Sequence, residues 1–372
     1  MITRNEVALS VNPPALYNDQ RLKLGLFGLN CGGGLTMTDP AINHRLSWES
    51  NLKPVQIADR LGMEIVVPVA RWRGFAGRDN FNGSSFETFT WAAALAASTS
   101  QIMLATTAHL PTVHPIVAAK QAATIDHISN GRFALNLVMG WFNPEMEMFG
   151  ADQRGHADRY KYGSEWVEIV DRLWSELKGF DFEGEYIQVR DAVSLPKPVQ
   201  LKPILINAGN SPAGLEFSAR YVDFNFASLN TLEDGALYSK LVRQKARDDW
   251  SREIGVMTYA MVICRDTEEE AERVRSAILE AGDYEGAENL MSVLGVQSSS
   301  FNDQIKAFRE RFVLGWGGYP LVGTPEQVAD GLLSISNAGM DGVILGFLNY
   351  ESDLIHFGEK VMPLLRQAGL RS

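Results

Sequence analysis

Residues 131–141 read GRFALNLVMGW. Taken alternately, Phe133, Leu135, Leu137 and Met139 fall on one face and Ala134, Asn136 and Val138 on the other. Such a run reads as a strand covered on both sides, the pattern of a parallel sheet dressed with helices. If the bulkier face packs on helices, Asn136 looks inward near the strand's end. An unpaired buried carboxamide costs roughly 1–3 kcal/mol, so Asn136 needs a partner, either a neighbouring strand-end group or a bound ligand.

Seven more apolar runs resemble this one: LKLGLFGL at 22–29, MEIVVPV at 63–69, QIMLATTA at 101–108, PILINAG at 203–209, VDFNFAS at 222–228, GVMTYAMVIC at 255–264 and DGVILGF at 341–347. Helical patterns separate them, at 48–62, 86–98, 114–129, 159–177, 212–221, 231–250, 267–282 and 324–339, with a last helix from about Asp353. Eight strand–helix repeats predict a closed (β/α)8 barrel of the TIM type, with a doubly wound open sheet as the competing architecture. No GxGxxG follows the first strand, since FGLNCGGGL at 27–35 runs into no immediate helix, and this disfavours a dinucleotide fold. Two stretches exceed simple connectors, 141–158 and 283–322, and both are expected as insertions over the catalytic face or at an assembly contact of a single domain spanning 1–372.

Composition excludes several classes. With 45 acidic against 34 basic residues, a net charge of −11 and no Lys/Arg-rich run, the chain lacks the positive footprint for nucleic acid or an anionic membrane. Cys31 and Cys264 have no metal-type spacing, there is no signal-peptide core and no apolar run long enough to span a bilayer. A reducing, cytoplasmic setting is expected. The six histidines form no HxH or HExxH pattern, so no metal is expected, and the absence of GxSxG disfavours a serine hydrolase.

In a barrel, chemistry sits at the C-terminal strand ends. The polar residues there are Arg71 and Arg73, Thr106 and Thr107, Asn136, Asn207 through Ser211, and Asn225, with His109 also placed to face the mouth. Asn136 either bonds Thr107 or a strand-end carbonyl, or meets a ligand edge bearing donor and acceptor, as a flavin or pterin does. Arg71 is either half of a salt bridge or a two-pronged donor to a bound group. In NAGNSPAGLEF at 207–217, Ser211 fits a helix N-cap with Pro212 at the first helical position. The amides of Gly209, Asn210 and Ser211 would equally suit a phosphate. Trp141 and Phe142 serve as a hydrophobic plug or as the wall of a planar cofactor site.

Four segments together carry a family resemblance: AATIDHISNGRFALNLVMGW at 122–141, DRYKYGSEWVEIVDRLW at 158–174, LINAGNSPAGLEFSARYVDFNF at 205–226 and LVGTPEQVADGL at 321–332. They resemble the bacterial luciferase-like flavin monooxygenases over nearly the whole chain, and within them the group of the pyrimidine ring-opening and dimethylsulfone monooxygenases. The resemblance implies FMN, used as FMNH2 delivered by a separate NAD(P)H-dependent flavin reductase. It further implies O2 and a flavin peroxide, N5-linked in the pyrimidine type, that oxidises a small heterocyclic amide or organosulfur substrate. It places Ala70 and Arg71 beside the isoalloxazine, Thr107 and Asn136 at its reacting edge, and Glu145 after the loop holding Trp141. Arg159, Tyr160 and Ser211 fall around the ribityl phosphate. Arg71 stands where the pyrimidine enzymes carry lysine, as in the dimethylsulfone type. A homodimer or higher homo-oligomer is expected. The competing readings are a deazaflavin-dependent hydride-transfer oxidoreductase and a non-catalytic FMN-binding protein.

Overall fold

In the computed structural model, which describes residues 13–39, 41–151, 154–295 and 303–372, the strands in chain order are β1 (Lys23–Phe27), β2 (Ile65–Val67), β3 (Met103–His109) and β4 (Phe133–Val138). They continue with β5 (Phe180–Glu183), β6 (Gln188–Ala192), β7 (Ile204–Asn207), β8 (Phe224–Phe226), β9 (Gly255–Cys264), β10 (Tyr319–Gly323) and β11 (Gly342–Phe347). β11, β1, β2, β3, β4, β7, β8 and β9 pair in that order, all parallel, and β9 returns to β11. The sheet is closed, which removes the open doubly wound alternative. All eight expected strands take part.

The two faces of β4 divide as their sizes require. Phe133, Leu135, Leu137 and Met139 pack with helix residues such as Ala118, Ala122 and Trp166, while Ala134 joins Ile65, Val67, Met103, Ala105, Ile204, Ile206, Met257 and Ile344 inside the barrel. Asn136 therefore continues the inner row toward the mouth. The approach to β4 is fixed by its first residues. The helix Pro115–Ser129 ends on Asn130 in the left-handed conformation (φ 56°), and Gly131 follows at φ 85°, a region glycine occupies without a Cβ penalty. Arg132 then spends its guanidinium on the carbonyls of Ala96, Thr99 and Ile102 at the opposite end of the barrel.

Three elements differ from the sequence reading. β5 and β6 form a separate antiparallel ribbon that leaves half its residues exposed, and so lacks the double-sided apolar signal of the barrel strands. The 283–322 stretch carries the helices Tyr284–Val293 and Asp303–Gly315, and then β10, which extends the sheet alongside the second half of β9. The 141–158 stretch opens with the short helix Asn143–Met148. Residues 152–153 and 296–302 of these two stretches lie outside the described residues. Phe312, Val313 and Leu314 from the longer one pack with Met37, Phe75, Phe81 and Phe142 of the loops after β1, β2 and β4, so it covers the C-terminal end of the barrel.

Candidate active site

Thr107 and Asn136 are direct partners across β3 and β4. Asn136 Nδ2 donates to Thr107 Oγ1 at 3.1 Å, and Thr107 Oγ1 donates to the Pro68 carbonyl at 2.6 Å. The amide nitrogen is thus satisfied within the protein, but Asn136 Oδ1 is buried with no protein partner. Since buried polar atoms are nearly always paired, the acceptor marks where a ligand donor belongs.

Beside this pair stands a buried ionic cluster. Arg71, 5% exposed, directs Nη1 to Oε1 of the fully buried Glu145 at 3.2 Å. The same oxygen accepts the backbone N–H of Trp72 at 2.7 Å and of Arg73 at 3.2 Å. His109 Nδ1 lies 3.2 Å from Oε2, at ion-pair distance though out of line for a hydrogen bond. Burial pushes the Glu145 carboxyl up, yet His109, Arg71 and the Trp72 amide outweigh it and the net shift is downward, so Glu145 stays a carboxylate. Burial lowers His109 against the opposing pull of Glu145, and the imidazole is held neutral near pH 7. Burial likewise pushes the Cys31 thiol up, to about 12, which leaves it an inert packing group.

Aromatic rings close this end of the barrel. The Arg71 guanidinium sits 4.5 Å from the Phe75 ring centre and 5.3 Å from those of Trp141 and Phe142. Phe27 contacts Phe226 and Tyr259 from the strands and stacks with Trp316 from the longer insertion. The Tyr259 hydroxyl donates to the Trp316 carbonyl at 2.8 Å and ties insertion to barrel. Water is kept from a charged site by this wall, so its electrostatics act at low dielectric.

A second polar corner forms at the start of the helix Pro212–Tyr221. Ser211 caps it, accepting from Gly214 N at 3.1 Å, and also meets His156 Nε2 at 2.8 Å. Arg159 reaches the Gly140 carbonyl at 3.3 Å and His156 Nδ1 at 3.3 Å, while its buried Nε is unpartnered. A Cβ added at Gly209 would come within 2.5 Å of the Tyr160 hydroxyl, and one at Gly214 within 2.7 Å, so two glycines leave room for this oxygen. Burial raises the Tyr160 phenol, keeping it a neutral donor. A cation and two hydroxyls stand together in this corner, the donor set that suits a phosphate.

The structure thus gathers Arg71, Trp141 and Glu145 into one group, sets Thr107 with Asn136 next to it, and lines one small cavity with Ala70, Arg71 and Thr107. Arg159, Tyr160, Gly209 and Ser211 form the second group. Asn210 joins neither, since its exposed amide points to Ser228 Oγ at 3.5 Å. Asn207 and Asn225 are used structurally, on Leu137 and Gly209 backbone and on Ser218. His109 and His156 belong to the site although no histidine motif announces them. The signal was positional: His109 is two residues beyond Thr107 on the same strand face, and His156 one helical turn before Arg159.

A closed β/α barrel whose C-terminal mouth holds an orphaned amide oxygen, a buried cation and a phosphate-type corner defines a cofactor-using barrel enzyme. Residues 22–342 match the model of the luciferase-like monooxygenase family, and the chain belongs to that family. It is 34% identical to the pyrimidine monooxygenase of Acinetobacter baylyi over 354 residues, covering 92% of this chain and 95% of that protein. It is 31% identical to the FMNH2-dependent dimethylsulfone monooxygenase of Pseudomonas fluorescens over 360 residues, 94% of this chain and 96% of the relative. Among solved structures, the EDTA monooxygenase of a Chelativorans species superposes with a TM-score of 0.82 at 22% identity, covering 95% of both chains, a likeness of fold. Among the described residues no helix is long and apolar enough to cross a membrane.

Proposed function

We propose that this protein is the oxygenase half of a two-component system, taking FMNH2 from a separate NAD(P)H-dependent reductase and inserting one atom of O2 into a small heterocyclic amide or organosulfur compound. The enzyme class is that of its family, a flavin-dependent monooxygenase, and the cofactor is FMN. The observation that carries the reading is the orphaned Asn136 Oδ1, an acceptor that the N–H groups of a reduced isoalloxazine would satisfy. The corner of Arg159, Tyr160 and Ser211 fits the phosphate at the other end of such a molecule.

Reduced FMN, when bound, supplies the electrons that activate O2. The chain's own residues hold and shield it. Ser211, Tyr160 and Arg159 would bind the phosphate, Asn136 the polar edge of the ring, and Thr107 fixes the Asn136 amide in one orientation. Arg71, kept charged beside Glu145, presents its remaining N–H groups to substrate oxygen. The wall of Phe75, Trp141, Phe142 and Trp316 excludes water that would waste reducing equivalents. Absence of a nucleophile motif agrees with this division of labour. We expect a single-domain, cytoplasmic homo-oligomer.

Anaerobically reduced FMN, O2 and the purified protein, with uracil-type amides and alkyl sulfones offered in parallel, test the proposal. Oxygen-dependent product from either class supports it. Turnover without oxygen would point to deazaflavin hydride transfer, and tight FMN binding without product to a carrier.

A further inference from the structure

The two oxygens of Glu145 are unequally provided for. Oε1 receives Arg71 Nη1 and the Trp72 and Arg73 amides, whereas Oε2 faces the His109 imidazole, with Nδ1 at 3.2 Å. Glu145 is fully buried and His109 is 3% exposed. The contact is out of line for a hydrogen bond, but a buried carboxylate oxygen 3.2 Å away repels a lone pair and attracts a proton, so the charge of Glu145 assigns the imidazole proton to Nδ1. Nε2 is then left with the lone pair. His109 also lines a cavity of about 20 Å³ whose walls include Ala70, Arg71, Thr107 and Thr112 but not Glu145, with room for one water.

We propose that His109 is a positioning residue: as the Nδ1–H tautomer it holds Glu145, and through Glu145 the Arg71 guanidinium and the 71–73 turn, in the arrangement that receives the flavin. This rests on the reading of the site as a flavin pocket. The charged and titratable groups around the imidazole are Glu145 from the helix Asn143–Met148, Arg71 after β2, Glu87 across the cavity and, beyond Arg71, Cys31. Asparagine at this position would keep a donor close to the place of Nδ1. Phenylalanine would keep the ring volume and remove the donor, leaving Glu145 Oε2 bare. A packing role and a positioning role therefore rank the two variants in opposite orders.

FMN affinity of the wild type, His109→Asn and His109→Phe, followed by flavin fluorescence quenching between about pH 5.5 and 8, reads that order. The expected result is His109→Asn within about threefold of wild type throughout, and His109→Phe weakening at least tenfold as the pH falls, because an unsupported Glu145 takes up a proton and Arg71 loses its counter-charge. Equal or better binding by His109→Phe across the range overturns the proposal. Nitrogen-15 NMR of the imidazole in the cofactor-free wild type decides independently of either variant's folding, since a proton on Nε2 rather than Nδ1 also overturns it. Failure of all three proteins to bind FMN would instead reject the flavin reading, with the tautomer still measured.

Discussion

Thr107 Oγ1 stands between two partners, accepting from Asn136 Nδ2 at 3.1 Å and donating to the Pro68 carbonyl at 2.6 Å. The direction of this chain is forced, because a carbonyl only accepts and an amide nitrogen only donates. Thr107 thereby orients Asn136 so that Oδ1 is the atom presented to the pocket.

Asn136→Ala should fold normally and lose oxygenation. The residue is only partly buried and its removal leaves Thr107 with its Pro68 bond, so stability changes little. A preorganised group at a reacting centre contributes about 2.7–4 kcal/mol, which predicts a fall of about a hundredfold or more in single-turnover oxygenation. Thr107→Val should show part of that loss by freeing the amide to rotate. Normal turnover in Asn136→Ala would remove Asn136 from the site.

At the second corner, Arg159→Ala is expected to weaken FMN much more than riboflavin, since only the former carries the phosphate. Gly209→Ala should do the same by a different route, because its Cβ would fall 2.5 Å from the Tyr160 hydroxyl and displace it. Isothermal titration with both ligands compares the losses. Equal weakening of FMN and riboflavin would move the phosphate elsewhere.

How far this was legible follows from range. The inward row of β4 and the helix cap at Ser211 depend on neighbours two or three residues away, and alternation or capping chemistry reads them directly. Thr107 and Asn136 became partners once β3 and β4 were taken as adjacent. The joining of Arg71, His109 and Glu145 spans up to 74 residues and three separate elements, and no local pattern encodes it. Trp316 reaches the mouth only because the 283–322 stretch folds into two helices and a strand, in a segment where neither period stood out. The β5–β6 ribbon escaped because exposed charged residues interrupt its few buried ones, Phe180, Val189 and Ala192, and leave no continuous apolar run to read.

Glu145→Gln should be destabilising rather than merely inactivating. Arg71 and Glu145 side chains are 2% and 0% exposed, so the variant leaves a buried cation without its counter-charge. Removing one partner of such a pair costs about 3–5 kcal/mol, measurable as a shift in the urea midpoint. Combining Glu145→Gln with Arg71→Met should recover part of that loss. No recovery in the double variant would mean that Glu145 acts chiefly through the Trp72 and Arg73 amides.

Acid should destabilise the fold in two stages. His109 is held below its ordinary 6.5, so the unfolded chain takes its proton first; the contribution to stability is complete above about pH 6.5 and declines as pH falls toward the folded value. Glu145 is held below its ordinary 4.5, so its contribution is complete above about pH 4.5 and is lost as pH falls from there through the lowered folded value. Urea midpoints measured from about pH 8 to 2 should therefore begin to drop near 6.5, and His109→Asn should flatten that first limb while leaving the second, below about 4.5. An unchanged first limb would assign it to another histidine, such as the buried His44, which is also lowered by burial.

Arg71→Lys tests the residue at which the resemblance leads one to expect lysine in the pyrimidine-type enzymes. The guanidinium carbon lies 4.5 Å from the Phe75 ring centre and 5.3 Å from those of Trp141 and Phe142, and the group spends one N–H on Glu145. Lysine keeps the charge and the ion pair but loses the planar face and the further N–H donors of the fork. FMN affinity should stay within about threefold, because the charge and ion pair that hold the 71–73 turn are kept, while turnover falls about tenfold or more, because only the fork can orient an oxygen-bearing substrate. Single-turnover oxygenation with pre-bound FMNH2, set beside flavin titration of the same variant, separates the two quantities. If both are unchanged, Arg71 serves only as the buried counter-ion of Glu145, and its difference from lysine carries no information about the substrate.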